Sequence, residues 1–242
     1  MALYDTIGVT YDLLRRPDFR IAAQIDKALG AAATVVNVGA GAGSYEPAER
    51  NVTAVEPSAE MIRKRGILSA PAVQATAEAL PFPDKSFDAS MAVLTIHHWQ
   101  DQEAGLREMR RVSRGPVVIV TFDPACRPWL TEYLPQLAEL DERQMPPMDF
   151  YQMCLGEVSV EKLLVPHDCT DGFLYAFWRR PLAYLDPALR KGSSSFWALG
   201  KTLEPGLERL RSDLAEGIWH RRYDHLLTLE SYDVGYRIVV AG

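Results

Sequence analysis

The sequence contains few cysteines and no long apolar run, and these absences exclude several classes of protein. The three cysteines, Cys126, Cys154 and Cys169, are far apart and odd in number. That spacing argues against a disulfide framework and favours a reducing compartment. No stretch reaches the roughly 18 uninterrupted apolar residues of a membrane-spanning helix. The N-terminus also lacks the basic start and apolar centre of a secretory signal. We therefore expect a cytoplasmic protein that does not enter a membrane.

Clusters of positive charge and metal-ligand spacings are also missing. The chain has 26 Lys and Arg against 32 Asp and Glu, which gives a formal net charge of -6. Nucleic-acid binding depends on clustered cations that displace counterions, so we expect no nucleic-acid partner. No two Cys or His residues have the spacing of a usual zinc-ligand pair, so we expect no metal site.

Strand and helix patterns alternate through the first half of the 242 residues. Strands are predicted at "TVVNV" (34–38), "NVTAV" (51–55) and "GPVVIVTF" (115–122), with a weaker one at "PAVQA" (71–75). The run "FDASMAVLTI" (87–96) is typical of a parallel strand that is covered on both faces. Helices are predicted over 18–29, behind Ser58 and over 101–112. This alternation predicts an α/β fold with a parallel sheet.

The pattern changes after Asp123, where prolines become frequent. Residues 158–165 and 236–241 have strand composition, and the chain between 166 and 230 is mostly helical in pattern. We expect one domain over 1–242, with a doubly wound, Rossmann-like, mostly parallel sheet. Its core would comprise about 18–123 and the C-terminal strands. Helical cap elements within about 124–230 would precede the last strand.

Two features at the ends of the first two strands suggest a ligand site. In "VVNVGAGAG" (35–43) a glycine occupies every second position after the strand. These glycines form either a plain tight turn or a place where a ligand approaches the backbone. Ser44 stands where a dinucleotide fingerprint needs a third glycine. Glu56 closes the second strand, and it is either a solvated acid or an acceptor for two ribose hydroxyls.

The motifs from 34 to 123 together resemble the class I S-adenosylmethionine-dependent methyltransferases. The resemblance rests on "VVNVGAGAG", "AVEPSAEMI", "ATAEALPFPDKSFDASMAVLTIHHW" and "LREMRRVSRGPVVIVTFDP", and it is greatest to the small-molecule branch related to ubiquinone and menaquinone biosynthesis. The flanks resemble bacterial methyltransferases assigned to antibiotic biosynthesis. The resemblance implies S-adenosylmethionine as cofactor and a small-molecule acceptor, with neither the acceptor nor an oligomeric state specified. The alternatives are a non-catalytic binder of S-adenosylmethionine or S-adenosylhomocysteine and a nucleotide-cofactor oxidoreductase.

The resemblance also implies a set of cofactor-binding residues. They are Gly39, Ala40 and Gly41 in the glycine turn, Glu56, Pro57 and Ser58 after the second strand, Thr76, Ala77 and Glu78 in the adenine loop, Leu94 near the end of the fourth strand, and Tyr11 and Arg15 on an N-terminal helix that closes over the cofactor. Asn37 departs from the family, which usually has Asp there to accept hydrogen bonds from the loop. Asn37→Asp is therefore expected to tighten cofactor binding or to leave it unchanged.

Two histidines are candidates for a catalytic base. His98 is the first choice because the end of the fourth strand should face the transferred methyl group. Adjacent residues on an extended strand face opposite ways, so His97 should point away. The alternative is that His98 only shapes the loop. His167 is the second choice, either as an oriented acid-base unit with Asp168 or as part of a turn.

Overall fold

A seven-stranded sheet forms the centre of the structure, a computed structural model that describes residues 15–242. Its strands are β1 (Thr34–Val38), β2 (Asn51–Val55), β3 (Ala72–Val73), β4 (Ala89–Val93), β5 (Val117–Phe122), β6 (Val158–Lys162) and, numbered by chain position, β9 (Tyr236–Ala241). The order across the sheet is β3-β2-β1-β4-β5-β9-β6. Strands β1 to β5 are parallel, whereas β9 is antiparallel to both β5 and β6. The predicted doubly wound, mostly parallel sheet is confirmed.

The central strands are apolar along most of their length, so each packs against a core layer on both faces of the sheet. Val35 of β1 belongs to the core layer that contains Ile21 and Ile25, and Val36 and Val38 belong to the opposite layer. Successive side chains of a strand point to opposite faces, so a strand covered on both sides needs apolar residues throughout. The two core layers cover both faces of the sheet, and its carboxyl edge carries the loops of the site.

The helices cover both faces of the sheet. They are α1 (Phe19–Ala28), α2 (Ala59–Arg63), α3 (Gln102–Val112), α4 (Leu130–Tyr133), α5 (Pro135–Gln144), α6 (Met148–Leu155), α7 (Pro187–Arg190), α8 (Ser194–Leu199), α9 (Glu204–Ala215) and α10 (Ile218–Tyr223). Short 3-10 turns occur at Ile96–His98, Pro181–Leu185, Gly200–Leu203 and Asp224–Thr228. Ser58 caps α2 as predicted, because its hydroxyl accepts a hydrogen bond from the Met61 N–H at 3.2 Å.

The predicted long strand over 87–96 is wrong beyond Val93. Leu94 has a positive φ of 52°, and the 3-10 turn of Ile96–His98 follows. An apolar run indicates that residues are buried but does not indicate their backbone conformation. The sequence pattern therefore could not predict this turn. The histidines are consequently carried by a turn and not by an extended strand.

The cap, defined here as residues 124–230 without β6, packs its aromatic side chains into the same core as the sheet. Trp129 lies 5.2 Å from Trp219 and 5.6 Å from Tyr184, measured between ring centroids. Within the cap, β7 (Val165–Pro166) pairs with β8 (Ser231–Tyr232), which directly follows the cap, as a second, two-stranded sheet. In residues 15–242 no helix combines the length and the apolar character needed to cross a bilayer.

Candidate active site

The glycine turn follows β1 at the carboxyl edge of the sheet. The N–H groups of Gly39 and Ala40 donate to the Val55 carbonyl at 2.8 and 3.0 Å, which holds the turn against β2. Gly39, Gly41 and Gly43 have φ angles of 71°, 52° and 101°, a region that other residues rarely adopt. A Cβ on Gly39 would also lie 2.2 Å from the Thr95 hydroxyl oxygen. Backbone conformation therefore requires glycine here even before any ligand is considered.

Glu56 aims a buried carboxylate at this turn. One oxygen accepts a hydrogen bond from the Gly41 N–H at 2.8 Å, and the other accepts one from the Ser58 N–H at 2.9 Å. Burial raises the pKa of Glu56 above its ordinary value, although these two hydrogen bonds oppose the shift. Each carboxylate oxygen has more than one acceptor site, so both can still accept a hydroxyl group. Two adjacent oxygens of this kind suit a vicinal diol.

Asn37 does not organise the glycine turn in the way the family resemblance implies. Its amide Nδ2 donates to Glu46 Oε1 at 3.2 Å. Arg65 donates to both oxygens of Glu46 at 2.6 and 2.8 Å and to the Gly41 carbonyl at 3.1 Å. The Glu46 and Arg65 side chains are only 8% and 5% exposed. The acid that orders the loop is thus Glu46, and Asn37 donates to it.

The predicted adenine loop is held in place by Glu78. Its Oε1 accepts hydrogen bonds from the N–H groups of Gln100 at 2.8 Å and Asp101 at 3.2 Å. Burial acts to raise the pKa of Glu78, but its hydrogen bonds prevail and lower it. Asp101 in turn caps α3. The loop of Thr76, Ala77 and Glu78 is therefore anchored to the start of α3 through a side chain.

Leu94 and the histidine turn lie at the end of β4. Leu94 keeps a hydrogen bond from its N–H to the Val120 carbonyl at 2.9 Å despite its left-handed backbone. Such a conformation costs about 1–3 kcal/mol for a residue other than glycine and is common at functional sites. The strand-like alternation expected for His97 and His98 is wrong, because their ring centroids lie 3.8 Å apart at an angle of 49°. His98 lines the main cavity and His97 does not, as expected for the pair. The two rings are in contact because a 3-10 turn lacks the alternation of a strand.

The environment of both histidines favours the neutral ring. Burial, followed by the positive charge of Arg15, lowers the pKa of His98. Burial, then His98, then Arg15, lower the pKa of His97 well below its ordinary value. His98 faces a cavity, and its ring remains accessible there. A neutral imidazole can accept a proton, but a lowered pKa makes it a weaker base.

These groups line one cavity of about 420 Å³, a volume typical of small-molecule sites. It brings together His98 and every predicted cofactor-binding residue in the described part of the chain: Arg15, Gly39, Ala40, Gly41, Glu56, Pro57, Ser58, Thr76, Ala77, Glu78 and Leu94. The sequence reasoning missed Met61, Thr95, Trp99 and Gln100, which also line it. The motifs could have indicated two of these residues, because Met61 comes three positions after the helix cap Ser58 and Trp99 directly follows the two histidines.

The N-terminal prediction needs one correction. Tyr11 lies outside the described residues. Arg15 reaches the cavity, but it is not helical: it forms an antiparallel bridge with Asp171. Its Nε donates to Asp171 Oδ1 at 2.5 Å, and Tyr45 donates to Asp171 Oδ2 at 2.8 Å. Arg15 is thus positioned by the cap.

His167 does not line this cavity. Its Nε2 lies 3.5 Å from the Glu230 carboxylate, and Asp168 pairs with Arg20 at 2.7 Å. His167 and Asp168 therefore have different partners. The geometry does not bring His167 together with His98.

Comparisons with known proteins identify a family. A family model described as a methyltransferase domain matches residues 36–119. A candidate methyltransferase from an antibiotic biosynthesis pathway of Anabaena variabilis, known from its crystal structure, is 36% identical in sequence to this chain. The two structures superpose with a TM-score of 0.86. That similarity covers 95% of this chain and 99% of that one.

Two curated relatives are similar over shorter stretches. The uncharacterised methyltransferase YcgJ of Bacillus subtilis is 31% identical over 119 residues, which cover 44% of this chain and 47% of YcgJ. The ubiquinone/menaquinone biosynthesis C-methyltransferase UbiE of Stenotrophomonas maltophilia is 28% identical over 144 residues, which cover 50% of this chain and 57% of UbiE. The match thus spans about half the length of these relatives.

The fold, the site and these similarities define a class of protein. The chain belongs to the class I S-adenosylmethionine-dependent methyltransferases. The family resemblance found in the sequence is therefore confirmed.

Proposed function

We propose that the protein binds S-adenosylmethionine in the 420 Å³ cavity and transfers its methyl group to a small molecule, in secondary metabolism. The observation that carries the proposal is the convergence of the glycine turn, the Glu56 carboxylate and the loop of Thr76 to Glu78 on one cavity. The cofactor, when bound, supplies a methyl group that is already activated on a sulfonium.

The residues of the chain would bind and orient the cofactor. Glu56 offers two buried oxygens to the ribose diol, and the turn of Gly39 to Gly41 offers backbone without side chains. In this proposal the methyl acceptor meets the cofactor beside Leu94 and His98, which line the cavity. If the acceptor must lose a proton, His98 is the candidate base, whereas His167 lies outside the cavity.

We further propose a single domain in the cytoplasm, with no nucleic-acid or membrane partner. Cap and sheet residues share one core cluster, which supports the single domain. The three cysteines are free thiols, which suits a reducing compartment.

Calorimetric titration with S-adenosylhomocysteine and with NAD tests the cofactor. We expect S-adenosylhomocysteine to bind and NAD not to bind, since Ser44 replaces the third glycine of a dinucleotide motif. Glu56→Ala should weaken binding by roughly 1.5–3 kcal/mol, the range for hydrogen bonds to a charged group. Glu49→Ala removes the same charge from an exposed position and should leave binding unchanged.

Tight binding of NAD alone would instead favour the oxidoreductase alternative. Binding of S-adenosylhomocysteine without transfer to any acceptor in a broad screen of amines, phenols and carbon acids would favour the non-catalytic binder.

A further inference from the structure

A second cavity of about 60 Å³ adjoins the first. The two share Arg15, Leu94 and His98 as lining residues. A molecule in the second cavity would therefore reach the histidine end of the first. This position suits a methyl acceptor.

Four aromatic residues line the second cavity, together with Leu94, Met145 and Leu174. Phe122 comes from the end of β5, Tyr236 from the start of β9, and Phe173 and Tyr175 from the cap. Ring centroids are 5.0 Å apart for Phe122 and Tyr175 and 4.8 Å apart for Phe173 and Tyr236. All four side chains are buried, so the wall is held in one arrangement.

One carboxylate, that of Asp141 on α5, faces this apolar wall. Asp141 is 4% exposed, and its Oδ2 accepts a hydrogen bond from the Tyr175 hydroxyl at 2.6 Å. Within residues 15–242, no Lys, Arg or His side chain lies within ion-pair distance of Asp141. Burial raises the pKa of Asp141 to about 6, against the opposing effects of Tyr175 and Arg127. A buried carboxylate without a cation is costly, and such costs concentrate at functional sites.

The other ionisable groups of the cavity do not neutralise Asp141. Arg15 is bound to Asp171 through two hydrogen bonds, at 2.5 and 3.3 Å. His97 and His98 favour their neutral forms because burial lowers both pKa values. The cavity therefore presents a negative group among aromatic rings. Organic cations bind favourably in such surroundings, through the ring faces and through charge-assisted hydrogen bonds.

We propose that the second cavity binds the methyl acceptor and that this acceptor is a small organic amine whose nitrogen donates to the Asp141 carboxylate. Because an ammonium group has no lone pair, the bound amine would release one proton to solvent before it reacts. Its nitrogen would then form the N–C bond while the C–S bond of the sulfonium breaks, which leaves S-adenosylhomocysteine. The proposal rests on the function proposed above. The cavity is smaller than the roughly 150 Å³ that holds a benzene molecule, so the amine-bearing end enters and the rest of the acceptor extends outward.

The test uses benzylamine, benzyl alcohol and benzoate as probes, with the protein saturated by S-adenosylhomocysteine. We expect saturable chemical-shift changes with benzylamine, at least about tenfold weaker binding of benzyl alcohol, and no binding of benzoate. Asp141→Asn keeps an acceptor for Tyr175 but loses the charge. It should weaken benzylamine binding about 10- to 100-fold, with little effect on benzyl alcohol or S-adenosylhomocysteine.

A steric variant keeps the test decisive if Asp141→Asn folds poorly. Ser194, at the start of α8, lines the second cavity and not the first. Ser194→Phe should abolish benzylamine binding and preserve S-adenosylhomocysteine binding. The amine proposal is overturned if benzoate binds as well as benzylamine, or if benzylamine binds both variants as it binds the wild type. In either case, intact S-adenosylhomocysteine binding would leave the cofactor proposal standing; its absence would refute both.

Discussion

At the scale of single residues, the acid that orders the glycine turn stands at a different position from the one the family pattern implies. Glu46 bonds Asn37, Arg65 and the Ala70 N–H, and Arg65 continues to the Gly41 carbonyl. The charge that the family usually carries at position 37 is thus supplied from position 46. An acid at both positions would place two carboxylates in contact.

Asn37→Asp should therefore weaken cofactor binding, the reverse of the expectation from the sequence. The new carboxylate would meet Glu46 where the amide now donates at 3.2 Å, and Asn37 is only 2% exposed. We expect the free energy of unfolding to fall by roughly 1–3 kcal/mol, the cost of a buried group without a suitable partner. Urea unfolding and S-adenosylhomocysteine titration would measure both effects.

A double-mutant cycle tests the cause. In the Asn37→Asp background, Glu46→Gln should restore a donor–acceptor pair, so the double variant should lose less stability than the sum of the two single variants. Strict additivity would show that Asn37 and Glu46 do not interact in this way.

His98 allows a second prediction at this scale. Because burial and Arg15 disfavour its protonated form, its imidazole should titrate below the ordinary value of about 6.5. Proton NMR against pH would measure this, with His98→Gln assigning the signal and the urea-unfolded protein as the reference. If His98 is the base, transfer should persist as pH falls through 6.5 and decline only near its lowered pKa. Titration at or above 6.5 would contradict the electrostatic argument.

At the scale of elements, the N-terminal end of α1 joins the sheet region to the cap. Asp18 is fully buried and accepts hydrogen bonds from the Arg20 N–H at 3.0 Å and the Thr170 N–H at 3.2 Å. It also bonds the Arg20 guanidinium at 2.9 and 2.7 Å. The Asp18 side chain thus caps the N-terminus of α1 and also binds the loop at Thr170. That loop belongs to residues 124–230 and lies next to Asp171, the residue that positions Arg15.

Asp18→Ala should lower the free energy of unfolding by roughly 2–4 kcal/mol, since it removes a helix cap and leaves a backbone donor without a partner. Arg20 lowers the pKa of Asp18 to about 2. A lowered carboxylate pKa means that the stabilisation is complete above the unfolded value of about 3.9 and is lost as pH falls through 2. Chemical unfolding at pH 7 and at pH 3 should show a smaller effect of Asp18→Asn at the lower pH.

Asp26→Ala is the matched control on the same helix, because Asp26 is 54% exposed and pairs with Arg50 at the surface. It should cost less than about 1 kcal/mol. Equal losses for Asp18→Ala and Asp26→Ala would contradict the role given to Asp18.

Some elements could be predicted to the residue, and others could not. The strands at 34–38, 51–55 and 236–241 have the predicted bounds because β-branched residues fill them and polar or glycine residues flank them. The end of β4 was missed because nothing in its apolar pattern indicates that Leu94 is left-handed. Asp141 was missed because an acid in "LAELDERQ" has the composition of a solvated helix face. Its position beside Leu137 and Leu140 on the buried stripe was the available signal.

At the scale of the whole molecule, the cap and the sheet are parts of one packed core. The same cluster contains Ile25 of α1, Val120 of β5, Trp129 and Tyr184 of the cap, and Leu207 of α9. Such a shared core couples the unfolding of its parts.

We therefore expect the chain to unfold in a single transition. Far-UV circular dichroism follows all elements, whereas tryptophan fluorescence follows mainly the cap, which carries Trp129, Trp178, Trp197 and Trp219 among the five tryptophans. The midpoints of both signals in urea should coincide. A fluorescence change at clearly lower urea than the dichroism change would indicate that the cap unfolds separately and would contradict the single domain.

The place of β9 has a consequence for biosynthesis. In the sheet, β5 lies between β4 and β9. In the sequence, the whole cap separates β5 from β9. While the chain is being synthesised, the hydrogen-bonding edge of β5 stays without its partner until residues 236–241 appear. An unpaired apolar edge is a template for pairing with other chains. We therefore expect the nascent protein to be prone to aggregation until β9 inserts, and its yield in cells to depend on chaperones that cover that edge.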